Sequence, residues 1–300
     1  MPHPRLQLAH VGDETRSGGE PTPFEVGLPG GGRLAGEIAG TGHTLVLLHG
    51  LTATRRYVVQ GSRHLERHGH RLVAYDARGH GTSSPASEAS EYEYVDLADD
   101  LERLLDDLEL ERCVLAGSSM GAATAVRFAL ERPERVDALV QITPASGGGP
   151  SADDDEELAN WDRLARALRD DGVEGFLAAY DPPVADRWRE AVMTATRQRL
   201  EAHADHGALA DAIEVVPRSR AWDGGVAALA SLGVPVLIVG SRDSADPGHP
   251  LAVAEAYAEA LPHAELLVEN EGESPLAWQG AQLSRAIAGF LARSLPSATA

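Results

Sequence analysis

Short runs of Val, Ile, Leu and Ala, each closed by turn residues, recur at positions 45–48, 72–75, 113–116, 138–142, 236–239 and 266–268. They are continuously apolar rather than alternating, as in strands buried on both faces. Between most of them lie stretches with apolar residues three and four apart, such as Leu97, Leu101, Leu104, Leu105 and Leu108, or 252–260. This alternation predicts an α/β fold with a mostly parallel sheet and helices on both faces. Ahead of it, FEVGLPGGGRLAGEIAG reads as an antiparallel hairpin turning at Gly30-Gly31-Gly32. The final strand reads AELLVEN.

The alternation stops after Thr143. From Gly147 to about Leu232 no strand pattern occurs, while 162–168, 175–180 and 188–204 look helical. Trp161, Trp188 and Trp222, three of the four tryptophans, fall in this stretch. The expectation is a core of residues 24–146 and 232–293, interrupted by a helical cap at 147–231 that lies over the sheet edge as a lid. Residues 1–23 and 294–300 read as loose termini.

Composition narrows the class. At 300 residues the chain buries a sizeable core without covalent staples. One cysteine, Cys113, excludes a disulfide framework and a cysteine-based zinc cluster. No apolar run approaches a membrane span, and the first residues lack the apolar centre of a signal peptide, so a cytoplasmic location is expected. The 26 basic residues, all arginine, face 46 acidic ones, a net charge of −20. Such a chain repels phosphate backbones and anionic lipid, so neither nucleic acid nor membrane is an expected partner. The acidic run from Asp153 to Glu157 reads as a solvated helix start.

The strongest chemical signal is Gly117-Ser118-Ser119-Met120-Gly121, which follows the strand CVLA and precedes the helical AATAVRFALER. This is G-x-S-x-G in a strand–turn–helix setting, which lifts Ser119 Oγ above the sheet edge. The Met120 N–H then points to where an oxyanion would form. Two more segments end earlier strands: Leu47-Leu48-His49-Gly50-Leu51, and Asp76-Ala77-Arg78-Gly79-His80-Gly81-Thr82-Ser83. Phosphate-binding glycine loops and a Walker lysine are absent, which disfavours a nucleotide fold.

With these three segments the chain resembles the α/β-hydrolase family over residues 24–291. The resemblance implies an eight-stranded sheet with an inserted helical cap and the active site at the strand C-termini. Ser119 would be the nucleophile, the N–H groups of Leu51 and Met120 the oxyanion hole, and His49 and His80 loop supports. In Gly240-Ser241-Arg242-Asp243-Ser244-Ala245-Asp246-Pro247, Asp243 matches the family's aspartate, with Asp246 the neighbouring alternative. Either carboxylate also suits a turn or a helix cap.

The family's histidine after the last strand is missing. Its position falls on Glu273, and no histidine follows His263, which precedes the last strand. A glutamate is ~2 pKa units less basic than histidine, ~3 kcal/mol of driving force for deprotonating serine. Beside Asp243 one of the two carboxylates would be raised. His249, on the loop leaving the acid strand, either substitutes as the base or merely starts a helix facing solvent. His203 and His206 of the cap are further histidines able to reach down. Two functions follow. One is a serine hydrolase acting on a small ester, lactone or thioester. The other is a non-hydrolytic relative that binds a small apolar ligand or performs elimination or isomerisation. No cofactor or metal is implied, and no feature speaks to oligomeric state.

Overall fold

The computed structural model describes residues 19–150, 155–261 and 263–295. Its strands are β1 (Thr22–Gly27), β2 (Arg33–Ala39), β3 (His43–Leu48), β4 (His70–Tyr75), β5 (Cys113–Ser118), β6 (Val136–Ile142), β7 (Val236–Val239) and β8 (Ala264–Leu267). All eight pair into one sheet in the order β1-β2-β4-β3-β5-β6-β7-β8. β2 runs antiparallel to β1 and β4, and the remaining pairs are parallel. The expected hairpin is β1–β2, closed by the Leu28 N–H on the Gly32 carbonyl at 2.7 Å. β1 begins at Thr22, inside the segment expected to be loose. Ser294, also expected to be loose, closes the last helix, and residues 1–18 and 296–300 of those termini lie outside the described residues, as do Asp153 and Asp154.

The helices are α1 (His64–Arg67), α2 (Tyr94–Asp107), α3 (Met120–Glu131), α4 (Asp155–Ala179), α5 (Asp186–Glu201), α6 (His206–Val215), α7 (Leu251–Ala260) and α8 (Gly280–Ser294). Although β5 is apolar throughout, its residues still alternate between layers. Cys113 and Leu115 pack with Leu97, Leu101, Leu104 and Leu105 of α2 and Phe128 of α3. Val114 and Ala116 pack with Leu283, Ile287, Phe290 and Leu291 of α8. The α8 residues are spaced four, three and one apart, one stripe of a helix. At ~1.5–3 kcal/mol per buried large side chain, such stripes hold both layers on the sheet.

Between β6 and β7 the described residues contain helices and no strand. α4, α5 and α6 share a small core of their own, including Leu164, Leu168, Phe176, Leu200, Leu209 and Ile213. The sequence pattern misses α6 and splits α4, whose backbone turns at Gly172 (φ 61°, ψ −149°). Asp155, Glu156 and Glu157 of the acidic run form the first turn of α4. The helical segment meets loops at the strand C-termini. The Ala204 N–H donates to the Gly81 carbonyl at 2.8 Å, and the Ala185 N–H to Ser244 at 3.1 Å. Leu51 packs against both the sheet core and the helical core.

Candidate active site

Ser119 sits between β5 and α3 at φ 51°, ψ −114°, a conformation that L-residues rarely adopt. Two close approaches explain the flanking glycines. A Cβ on Gly117 would lie 2.2 Å from the Gly121 carbonyl oxygen, and one on Gly121 would lie 2.2 Å from that of Leu48. The turn therefore tolerates only glycine on either side, and it leaves Ser119 partly exposed. Met120 is the first residue of α3, where a helix leaves its N–H groups without internal acceptors. Across from it, a Cβ on Gly50 would come 3.4 Å from Ser119 Cβ, so the His49–Leu51 turn runs alongside the serine.

Three buried imidazoles brace these loops. His49 accepts the Ala77 N–H at Nε2 (2.9 Å) and donates from Nδ1 to the Gly50 carbonyl (2.8 Å). His80 places its ring nitrogens 2.8 and 2.7 Å from the carbonyls of Arg78 and Leu51. His203, from the helical segment, accepts the Gly81 N–H at Nδ1 (3.0 Å) and faces the Thr52 carbonyl with Nε2 (3.2 Å). Burial, reinforced by the neighbouring His80, pushes both His49 and His203 down to about 3, so they are neutral struts at ordinary pH. His206 instead places Nε2 3.2 Å from the Leu200 carbonyl. Beneath them Asp76 accepts from the Arg55 and Thr82 amides at 2.9 and 3.0 Å and pairs with the Arg55 guanidinium.

The loop after β7 separates the two aspartates. The Asp243 carboxylate is exposed and accepts the first N–H of α7, that of Leu251, at 2.8 Å. Asp246 Oδ1 lies 2.8 Å from His249 Nδ1. Asp246-Pro247-Gly248-His249 is a tight turn closed by the His249 N–H on the Asp246 carbonyl at 3.1 Å, which sets the two side chains next to each other. His249 therefore does not point into solvent; its side chain is 25% exposed and that of Asp246 is 18%. Burial acts to lower the His249 pKa, but the charge and hydrogen bond of Asp246 outweigh it and leave the imidazole above its ordinary value.

Glu273 is exposed, and its Oε2 accepts from Asn270 Nδ2 at 3.0 Å and from the Asn270 N–H at 3.4 Å, closing its own turn. His263 is exposed ahead of β8. The strand itself is four residues long rather than the seven of AELLVEN. It pairs with a four-residue β7 and ends where that partner ends, at Val239 opposite Leu267.

Sequence reasoning overlooks Arg199 of α5. Trp188 stacks edge-on against Trp278 at 5.9 Å between ring centres. Arg199 lies in the same electrostatic neighbourhood as Asp246, Tyr180 and Tyr57. Trp188 is among the tryptophans the sequence places in the insertion, whereas Arg199 does not stand out in a helix that carries several other arginines.

The sheet order, the serine turn and the helical insertion define an α/β enzyme scaffold with its candidate site at the strand C-termini. The sequence profile of the alpha/beta hydrolase fold matches residues 43–225, and the chain belongs to that family. A putative non-heme haloperoxidase of Mycobacterium phage D29 is 35% identical over 120 residues, 40% of this chain and 42% of that protein. The chain thus aligns with less than two thirds of that relative's length. A 2-hydroxy-6-oxononadienedioate/2-hydroxy-6-oxononatrienedioate hydrolase of Pseudomonas putida is 29% identical over 256 residues, 83% of this chain and 87% of that protein. Among solved structures, a thermophilic esterase from Thermogutta terrifontis is 26% identical with a TM-score of 0.72, covering 92% of this chain and 100% of that one. Among the described residues no helix is long and apolar enough to cross a membrane.

Proposed function

We propose that this protein is a serine hydrolase acting on a small ester, lactone or thioester through an acyl-enzyme at Ser119, with His249 as base and Asp246 as its orienting carboxylate. The observation that carries this reading is the Asp246–His249 hydrogen bond at 2.8 Å on the active edge. It gives a chain without the usual histidine a carboxylate–imidazole pair. With Nδ1–H given to Asp246, the lone pair of His249 resides on Nε2, the tautomer a general base needs.

In the proposed cycle Nε2 takes the Ser119 Oγ proton as Oγ attacks the substrate carbonyl carbon. The resulting oxyanion is received by the N–H groups of Leu51 and Met120. The tetrahedral species collapses, the bond to the leaving group breaks, and Nε2 returns the proton to the departing alkoxide or thiolate. Water then attacks the acyl-serine, assisted by the same imidazole, and releases the acid. β5 and β7 are separated only by β6, so their C-terminal loops are ~10 Å apart at ~4.8 Å per strand. The helices at residues 147–231 act as the cap, roofing the site from Leu51 to Ser244.

The missing histidine motivates the rival reading, a capped ligand-binding or isomerising protein that does not hydrolyse. Labelling by a fluorophosphonate together with hydrolysis of short-chain p-nitrophenyl esters separates the two. The proposal expects labelling and turnover in wild type and neither in Ser119→Ala. Absence of both in the wild type across acetyl to octanoyl esters overturns it.

A further inference from the structure

In this acidic protein many of the described arginines pair with a carboxylate, and Arg199 does not. Its Nε is sealed from solvent and meets no acceptor, and no described carboxylate lies within ion-pair distance. Among the described residues its side chain makes one hydrogen bond, from Nη2 to Thr196 Oγ1, one turn back on α5, at 3.1 Å. The nearby Asp246 is already engaged by His249. Neighbouring arginines on the same helix do find partners: Arg197 pairs with Glu174, and Arg189 with Asp181 at 2.8 Å. A guanidinium remains charged in proteins, and a buried one without an anion is costly.

Position adds the second half of the argument. Arg199 and Trp188 are eleven residues apart, about three turns, and so share one face of α5. Trp188 packs on Trp278 of the loop after β8, and its Nε1 is also buried without an acceptor. Tyr180, Tyr57 and Asp246 lie close enough to Arg199 to act on its charge. This face of α5 therefore carries two buried donors without acceptors, Arg199 Nε and Trp188 Nε1, and Arg199 is within electrostatic reach of Asp246 and His249.

We propose that Arg199 receives a free carboxylate on the acyl portion of the substrate, so that the natural ester or lactone derives from a dicarboxylic acid. This rests on the reading of Ser119 as the acylated residue. The planar fork of one guanidinium matches one carboxylate, which forms two parallel hydrogen bonds. A phosphate dianion fits less well, because a lone arginine beside Asp246 leaves its second charge unopposed.

The test compares 4-nitrophenyl hemi-esters of succinate, glutarate and adipate with the 4-nitrophenyl esters of the matching amic acids, which replace the carboxylate by a neutral amide of similar shape. Wild type is expected to favour the acid over the amide by ~10²-fold in kcat/KM for at least one chain length. Arg199→Met should reduce that preference to within about threefold, while the amide esters change by less than about threefold. Arg199→Gln, with a thermal melt, gives a second variant should the methionine fail to fold. No acid preference at any length, or equal losses on acids and amides, overturns the proposal. Calorimetric binding of succinate, glutarate and adipate needs no turnover. Arg199-dependent binding without ester hydrolysis retains the carboxylate site and overturns the hydrolase reading. Hydrolysis of the amide esters without acid preference does the reverse. Inorganic phosphate binding more tightly than every diacid overturns the assignment to a carboxylate.

Discussion

Exchanging each aspartate of the β7 loop for asparagine separates the carboxylate proposed to position the base, Asp246, from the one that caps a helix, Asp243. Asp246 Oδ1 is 2.8 Å from His249 Nδ1, with both side chains largely shielded. At an effective dielectric of ~20, two unit charges ~4 Å apart interact by about 4 kcal/mol. That is the stabilisation an imidazolium loses in Asp246→Asn, and at ~1.4 kcal/mol per decade it corresponds to ~10³-fold in kcat/KM. The amide also can turn its NH2 toward Nδ1, which drives the proton to Nε2 and removes the base. The pH profile carries a second signature. His249 lies above its ordinary value because of Asp246, and the base works deprotonated. Wild-type kcat/KM should therefore rise with pH through a midpoint above ~6.5, and Asp246→Asn should move that midpoint down. Asp243→Asn keeps an oxygen for the Leu251 N–H, and asparagine caps helices as well as aspartate, so its kcat/KM should stay within about twofold. Steady-state kinetics from pH 5 to 9 on one p-nitrophenyl ester decides the matter. Equal losses in the two variants, or the larger loss at Asp243, refutes the assignment of Asp246.

Other outcomes follow from the same geometry. His49 and His203 are held down to about 3 when folded, while the unfolded chain protonates them near ~6.5. Stability from these groups is complete above ~6.5 and is lost as pH falls toward about 3, by ~2 kcal/mol each at pH 5, which urea unfolding at pH 7 and 5 should register. Unchanged stability between those two pH values contradicts the neutral-strut assignment. Ser119→Gly removes the Cβ from a φ of 51°, so its melting temperature should rise by a few degrees, reflecting ~1–3 kcal/mol of relieved strain. A lower melting temperature contradicts the strain argument. Glu273→Gln should change ester turnover by less than about twofold, because the side chain is bonded to Asn270; a loss of ~10²-fold would make Glu273 the base instead.

The sheet was legible because strands buried on both faces leave continuous apolar runs, and each of the six read that way is a strand. What escaped depends on tertiary contacts. β8 stops at Leu267 because β7 offers no further partner, although the apolar pattern of AELLVEN continues. α6 carries Ala208, Leu209, Ala210, Ala212 and Ile213 buried almost all round. It lies between α4 and loops of the core, so it lacks the two-sided pattern that marks a surface helix. α4 reads as two helices because Gly172 takes a positive φ within it, yet the chain on both sides belongs to one small core.

The serine turn was legible for a different reason: its glycines are dictated by backbone oxygens 2.2 Å from where a side chain would stand. The proposed base was harder, because a family pattern directs attention to a loop after the last strand. In that arrangement two distant segments must meet for an imidazole to find its carboxylate. Here Asp246 and His249 belong to one four-residue turn, so a local hydrogen bond fixes their contact before any tertiary packing. The signal was present as Asp-Pro-Gly-His, a sequence that favours a tight turn and so pairs its first and fourth side chains. On the proposed reading, a base held this way frees the loop after β8 from catalytic duty, which agrees with an exposed Glu273 whose side chain bonds Asn270. The consequence is an unequal tolerance of the two loops. Replacing residues 271–273 by Gly-Ser-Gly should leave kcat within about threefold, whereas Pro247→Gly, which loosens the turn without touching either reacting side chain, should lower kcat by about tenfold or more. If the β8 loop proves the sensitive one, the base lies there and the local-turn argument fails.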